Sequence, residues 1–318
     1  MLPYFFATYR PFIAFIGVLT AFGATCLLLS KCSGLLPKDQ GRDFAVEGKK
    51  SAGKPRGAGI IFVLVFAVAM LLFADLSLEL CIYLMLVVIE MLTGFFDDTA
   101  DKPWGELKKG ILDLIVAVAV TLTYLQYNGS TILFAGKELV LHPVLFAVCA
   151  VVLVWVSINV TNCADGVDGL SGTLVIITLA TIYVIDNIRA AGPEFSFPIL
   201  LFIVCILGYL WYNATPSRLL MGDAGSRAMG VFISIAVLKS GSPLLYIPAA
   251  FVLIMDGGLG LVKVSLIRLF KIHILKNTLT PLHDHVRKKL GWSNTQTVFR
   301  FAIIQIVISL AAVYMLLL

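Results

Sequence analysis

Long apolar stretches alternate with short polar ones along the whole chain. Ten stretches are apolar and nearly free of charge, at roughly residues 11–30, 57–74, 77–96, 111–127, 142–159, 170–186, 196–212, 226–238, 244–267 and 298–318. Most reach the 17–25 residues with which a helix crosses about 30 Å of hydrocarbon. Barrel strands are shorter and alternate strictly, so the pattern predicts helices. The expectation is an all-α, polytopic integral membrane protein of about ten transmembrane helices, read as a single transmembrane domain over residues 1–318. The eighth stretch is short and flanked by glycine, and "KSGSP" at Lys239–Pro243 reads as the turn that separates it from the ninth. No basic segment with a cleavage site precedes Pro11–Ser30, so that stretch reads as an anchored first span.

Composition agrees with the pattern. Hydrophobic residues make up 59% of the chain and charged residues 14%, with a mean hydropathy of +0.97. A water-soluble domain averages about 25% charged residues, and one of this size could not hide so much apolar surface. The six cysteines form no CxxC pair and four lie in apolar runs, which argues against thiolate metal sites and disulfides.

Charge placement orients the spans. Segments 31–56, 97–110, 213–225 and 268–300 hold 18 of the 24 Lys and Arg residues, whereas Arg10, Lys137, Arg189 and Lys239 fall on the other side. The positive-inside rule puts the basic loops in the cytoplasm and both termini outside. The cytoplasmic loops are then about 31–56, 97–110, 160–169, 213–225 and 268–297. Acidic residues played no part in this assignment. Even so, Asp97, Asp98, Asp101, Asp165, Asp168, Asp223 and Asp284 all fall on the cytoplasmic side.

Three segments at helix ends carry the candidate chemistry: "GFFDDTADK" (Gly94–Lys102), "NCADGVDGLSG" (Asn162–Gly172) and "LLMGDAGSRAMG" (Leu219–Gly230). A carboxylate at one helix start is often a cap, but three such segments on one side ask for more. Asp97, Asp98, Asp165, Asp168 and Asp223 would repel one another at a low-dielectric boundary unless a proton or cation joined them. Oxygen ligands without a His/Cys cluster point to Mg²⁺, and Mg²⁺ points to phosphate. Glycines and helix N-termini suit a diphosphate, and Lys102, Lys108 and Lys109 can offset its charge. In the last polar loop His283 and His285 flank Asp284. With no cysteine partner and no evident third ligand, they suit hydrogen bonding to a polar substrate better than zinc. Glu90, Asp113 and Asp256 lie within apolar segments, where carboxylates face the protein interior. Asp256 precedes Gly257 and Gly258 and reads as a structural break.

With these motifs in hand, the chain resembles the polyprenyl-phosphate N-acetylhexosamine-1-phosphate transferases over essentially its whole length. Asp97 and Asp98 stand where that family has paired aspartates, "NCADGVDG" matches its Asn-x-x-Asp-Gly-x-Asp-Gly motif, and Asn213 and Asp223 match the residues around its Met-Gly-Asp-x-Gly motif. "PLHDH" followed by "GW" resembles the Pro-Leu-His-His-His segment of the muramoyl-pentapeptide branch. Three departures stand out. Asp284 replaces the middle histidine, "KPRGAG" (Lys54–Gly59) replaces a segment like Thr-Pro-Thr-Met-Gly-Gly, and Asp101 changes the spacing to the following lysines.

The resemblance implies Mg²⁺-dependent transfer of phospho-N-acetylmuramoyl-pentapeptide from UDP to undecaprenyl phosphate. The products would be lipid I and UMP for peptidoglycan synthesis, hence cell-wall biogenesis, cell shape and division. It implies Asp97, Asp98 and Asp223 as catalytic residues, with Asp223 the metal ligand. Either Asp97 or Asp98 could take a proton from the lipid phosphate, or one of them could attack the donor phosphate to form a covalent intermediate. Neighbours on a helix point about 100° apart, and Asp97 is favoured as proton acceptor with Asp98 as the metal-side group. It implies Lys109, Asn159, Asn162, Asp165, Asp168, Asn213, His283, Asp284 and His285 as substrate contacts. It also implies a bacterial inner-membrane protein, active on its cytoplasmic face among membrane lipids, as a homodimer and without nucleic acid. Two other readings remain at this point: a related transferase using UDP-N-acetylglucosamine, and an ion-coupled transporter. A transporter places its acids near midplane in paired repeats. Here the main acids gather at one surface and no internal repeat is visible.

Overall fold

A computed structural model describes residues 2–5, 9–41, 51–100, 102–134, 136–189 and 195–317. Asp101, and Arg42, Lys49 and Lys50 of the basic segment 31–56, lie outside the described residues. A short helix α1 (Leu2–Phe5) is followed by α2 (Arg10–Cys32), α3 (Gly59–Phe73), α4 (Leu78–Asp98), α5 (Glu106–Asn128), α6 (Pro143–Cys163), α7 (Leu170–Arg189), α8 (Ser196–Asn213) and α9 (Gly222–Lys239). After these come a broken segment, α10 (Tyr246–Ala249), α11 (Phe251–Leu253) and α12 (Leu259–Phe270), then α13 (Leu282–Leu290) and α14 (Asn294–Leu317). Helix thus occupies each of the ten expected apolar stretches. Among the described residues seven helices are long and apolar enough to cross a membrane, or eight if the bent pair around Ala250 forms one span. The chain is a predominantly helical, polytopic membrane protein.

Two features depart from the sequence expectation. A small antiparallel ribbon, β1 (Thr131–Phe134) and β2 (Lys137–Val140), pairs Thr131 with Val140 between α5 and α6. Its four-residue strands are too short to register as a period. The ninth stretch, read as one helix over 244–267, is broken: Pro243–Ala249 and Phe251–Phe270 meet at 74°. The bend lies at Ala250, upstream of the Asp256-Gly257-Gly258 break expected from sequence, where the chain forms a π turn instead (Ile254–Gly258). Pro248 interrupts the helical ladder there. Gln305 of α14 satisfies the freed groups, accepting from Val252 N–H at 2.8 Å and donating to the Pro248 carbonyl at 3.0 Å. Backbone broken at membrane depth survives only where protein supplies such partners.

Helix α9 is the centre of the bundle, with every residue from Gly222 to Leu238 buried. Its position explains how it carries charge. Arg227 meets Glu90 of α4 at 2.8 Å and Asp113 of α5, and Asp113 in turn accepts from Asn159 of α6 at 3.0 Å. One buried guanidinium ties three helices, and Asp113 links a fourth. Gly94 of α4 lies so close to α9 that a Cβ there would overlap the Asp223 carbonyl. Glycine at 94 therefore sets the approach of the helices that bear the aspartates.

Successive long helices run in opposite senses, so alternate termini gather. At one end Lys239 (α9), Glu79 (α4) and Asn128 (α5) bond together at 2.6–3.1 Å. At the other end meet the close of α4, the start of α5 and the start of α9, which bring Asp97, Asp98, Lys109 and Asp223 into one place.

Candidate active site

Asp97 and Asp98 close α4 and point apart, as neighbours about 100° round a helix must. Asp97 Oδ1 accepts from the Trp104 N–H at 2.6 Å, and its other oxygen pairs with Lys109. Asp98 Oδ2 accepts from the Ala224 N–H in the first turn of α9 at 3.2 Å, and its Oδ1 accepts from Arg56 Nε at 2.8 Å. Asp98 thereby caps α9, whose N-terminal dipole favours an anion. Asp223, in that same first turn, lies between two cations: Lys109 Nζ at 3.1 Å from Oδ2 and Arg56 Nη2 at 3.6 Å from Oδ1. Lys108, also expected to serve phosphate, folds over the Trp104 ring with its nitrogen 3.3 Å from the centroid.

Arg56 was not among the residues that sequence reasoning assigned to the site, although its segment stood out as a departure. It also holds Asp39, Nη1 to Oδ1 at 3.2 Å. Burial works against the Asp39 carboxylate, but the Ser51 hydroxyl at 2.6 Å, the Arg56 charge and the Gly41 N–H outweigh it and keep its pKa below the usual range. Burial likewise works against the Arg56 cation, and Asp98, Asp223 and Asp39 outweigh it, raising its pKa. Asp39 carried no signal in the sequence beyond being an acid in a basic loop.

Asp165, Asp168 and Asn213 form a neighbouring cluster. Ser171 donates to Asp165 at 2.7 Å, and the Ser217 N–H donates to Asp168 at 3.0 Å, with Lys54 Nζ 3.9 Å away. Asn213 accepts from the Gly169 N–H at 2.8 Å and donates to the Leu219 carbonyl at 2.8 Å, so it fixes the two loops together. Asn162 donates to Ser226 at 2.9 Å. Asn159 lies deeper, on Asp113 and the Arg227 cluster.

His283 and His285 do not converge. His285 accepts from the Leu279 N–H at 3.2 Å, and Asp284 lies 3.6 Å from Arg287. His283 is buried against Asp256, which accepts from its ring Nδ1 at 2.8 Å and its backbone N–H at 2.7 Å. That leaves Nε2 facing the Asp165–Asp168 loop, where a Cβ on Gly166 would overlap it. Asp256, read as a break, is thus the residue that orients His283. A cleft of about 780 Å³ runs alongside, with Lys54, Arg56, Asp165, Asp168, Asn213 and Arg287 on its wall. That is the size of a small-molecule site.

Among the described residues no group of three His, Cys, Asp or Glu side chains forms a metal cage. The donor set still suits Mg²⁺, which takes one or two carboxylates and completes its shell with water and phosphate. Among the described residues, Asp39, Asp97, Asp98 and Asp223 pair with the cations Arg56 and Lys109, a formal excess of two negative charges.

The fold and site describe a helical membrane bundle with an acidic, phosphate-suited cluster at one end. The description "Glycosyl transferase family 4" matches residues 80–241. The phospho-N-acetylmuramoyl-pentapeptide-transferase of Treponema pallidum is 40% identical over 310 residues, covering 91% of this chain and 85% of that protein. Those of Helicobacter pylori and Clostridium acetobutylicum are 29% and 26% identical, covering 96% and 83% of this chain and 94% and 84% of theirs. The chain belongs to the phospho-N-acetylmuramoyl-pentapeptide-transferase family.

Proposed function

We propose that this protein transfers phospho-N-acetylmuramoyl-pentapeptide from its UDP carrier to undecaprenyl phosphate, forming lipid I and UMP. The observation that carries the reading is the meeting of Asp97, Asp98 and Asp223 with Lys109 and Arg56 at one end of the bundle. An oxygen of the lipid phosphate attacks the sugar-bearing phosphorus of the donor, and the bond from that phosphorus to UMP breaks. Mg²⁺, when bound, neutralises diphosphate charge and polarises the breaking bond. Asp223 would hold it, with Asp98 beside it. Asp97 accepts the proton of a lipid phosphate that arrives protonated, and Lys109 steadies Asp97 and Asp223 together. The Asp165–Asp168 loop, Asn162 and Asn213 shape the donor side, and His283 reaches it from α13.

The topology belongs to the same proposal. All ten apolar segments cross the bacterial inner membrane as one domain, both termini lie outside, and the acidic end faces the cytoplasm. A soluble nucleotide donor then meets a lipid acceptor that enters from the bilayer. The protein acts as a homodimer.

The direct test is UMP release by purified protein with undecaprenyl phosphate and either UDP-N-acetylmuramoyl-pentapeptide or UDP-N-acetylglucosamine. The muramoyl donor should be preferred by about 100-fold or more in kcat/KM, as expected when buried polar groups recognise substrate groups that the smaller donor lacks. Equal or reversed use of the two donors would overturn the donor assignment.

His283→Ala should lower kcat/KM for the muramoyl donor by roughly 10- to 100-fold, the scale of a lost charge-assisted hydrogen bond, while the Mg²⁺ concentration for half-maximal rate stays unchanged. A parallel loss of Mg²⁺ affinity would move the histidine into the metal's coordination shell.

A further inference from the structure

We propose that Arg56 is a resident counter-cation of Asp98 and Asp223, and that a divalent cation binds by displacing its guanidinium from both. The inference rests on the reading of Asp223 as the metal carboxylate. Arg56 faces one oxygen of each residue: Asp98 Oδ1 at 2.8 Å from Nε and Asp223 Oδ1 at 3.6 Å from Nη2. Their other oxygens are engaged elsewhere, Asp98 Oδ2 by the Ala224 N–H at 3.2 Å and Asp223 Oδ2 by Lys109 at 3.1 Å.

These partners differ in how far they can retreat. Ala224 belongs to a helix buried on all sides, so its N–H stays where it is. Lys109 is also held by Asp97. Arg56 precedes α3 in a loop, its side chain is 21% exposed, and it stands on the wall of the cleft. A small turn of this long side chain would take the guanidinium off both carboxylates. Asp39, already 3.2 Å from Nη1, would keep the displaced guanidinium nearby.

Displacement follows from charge. Mg²⁺ sits about 2.0–2.1 Å from its oxygen ligands, and a guanidinium on the same oxygen would lie within a few ångströms of a dication. Like charges that close, at a largely buried site, repel strongly. Without metal, Asp98 and Asp223 would repel each other in turn, and Arg56 offsets that. The 3.6 Å separation from Asp223 is the longest of the three carboxylate contacts of Arg56, and the one most easily given up.

The test uses Mn²⁺ as probe, with free Mn²⁺ measured by electron paramagnetic resonance in substrate-free wild type, R56Q, R56K and D223N. R56Q should bind Mn²⁺ about tenfold more tightly than wild type, because a competing cation has gone. R56K keeps a charge but loses the fork that reaches two carboxylates at once, and should gain about threefold. R56Q should also have a lower Tm without metal, and Mn²⁺ should raise that Tm more than it raises the wild-type value. Should R56Q fail to fold, R56K alone decides: tighter binding than wild type supports the proposal, and equal or weaker binding overturns it. Equal or weaker binding by R56Q, with D223N binding poorly, overturns the role of Arg56 and leaves the metal site standing. Undiminished binding by D223N overturns the metal site itself.

Discussion

Asp223→Asn should reduce transfer by about three orders of magnitude or more, the scale on which preorganised charge stabilisation is lost, in a protein that still inserts and folds. The substitution keeps the shape of the side chain and removes one negative charge from a cluster in which Arg56 and Lys109 both face that residue. Helix α9 keeps its cap, because Asp98 accepts from the Ala224 N–H in its first turn. The defect should therefore appear in turnover and divalent-cation binding and hardly in Tm. Raising Mg²⁺ should rescue little, since on the proposed reading the missing group is a metal ligand. Full turnover of D223N at ordinary Mg²⁺ would remove Asp223 from the chemistry.

Arg227→Ala should be the most destabilising single change, at about 3–5 kcal/mol, the range for removing one partner of a buried ion pair. Arg227 is 2% exposed, with Glu90 fully buried on one side and Asp113 on the other. Alanine leaves two carboxylates facing each other inside the bundle. Neutralising them as well, in R227M/E90Q/D113N, should recover most of the loss, because an uncompensated charge is far more costly than a neutral amide. Thermal unfolding in detergent reads both variants. A single mutant as stable as wild type would mean that the guanidinium ties nothing together. Since Arg227 lies one turn beyond Asp223 on the same helix, stability and activity should fall together in R227A, in contrast to D223N.

Membership of the membrane class and the placement of the helices were legible in the sequence because each is a local property. Twenty apolar residues in a row have few ways to satisfy their backbone other than as a helix. Asp97, Asp98 and Asp223 could be singled out because acids at the edges of apolar runs, in segments that also carry glycine, are anomalous residue by residue. Other features have no such local signature. The ribbon at Thr131–Val140 is too short for a period to emerge. The bend falls at Ala250 because Gln305, from another helix, is there to accept the freed Val252 N–H.

The pairing of charges was decided by the tertiary structure alone. Arg56 finds Asp98 across 42 residues of sequence, Asp256 finds His283 across 27, and Arg227 finds Asp113 across 114. Arg56 read as one more basic residue in a cytoplasmic loop and Asp256 as a helix breaker. What the sequence determined by itself is which segments are too apolar for water and which acids stand at their ends. Which cation each acid meets is a matter of distance in three dimensions. Coulomb energy depends on separation and on burial, and neither exists until the helices have packed.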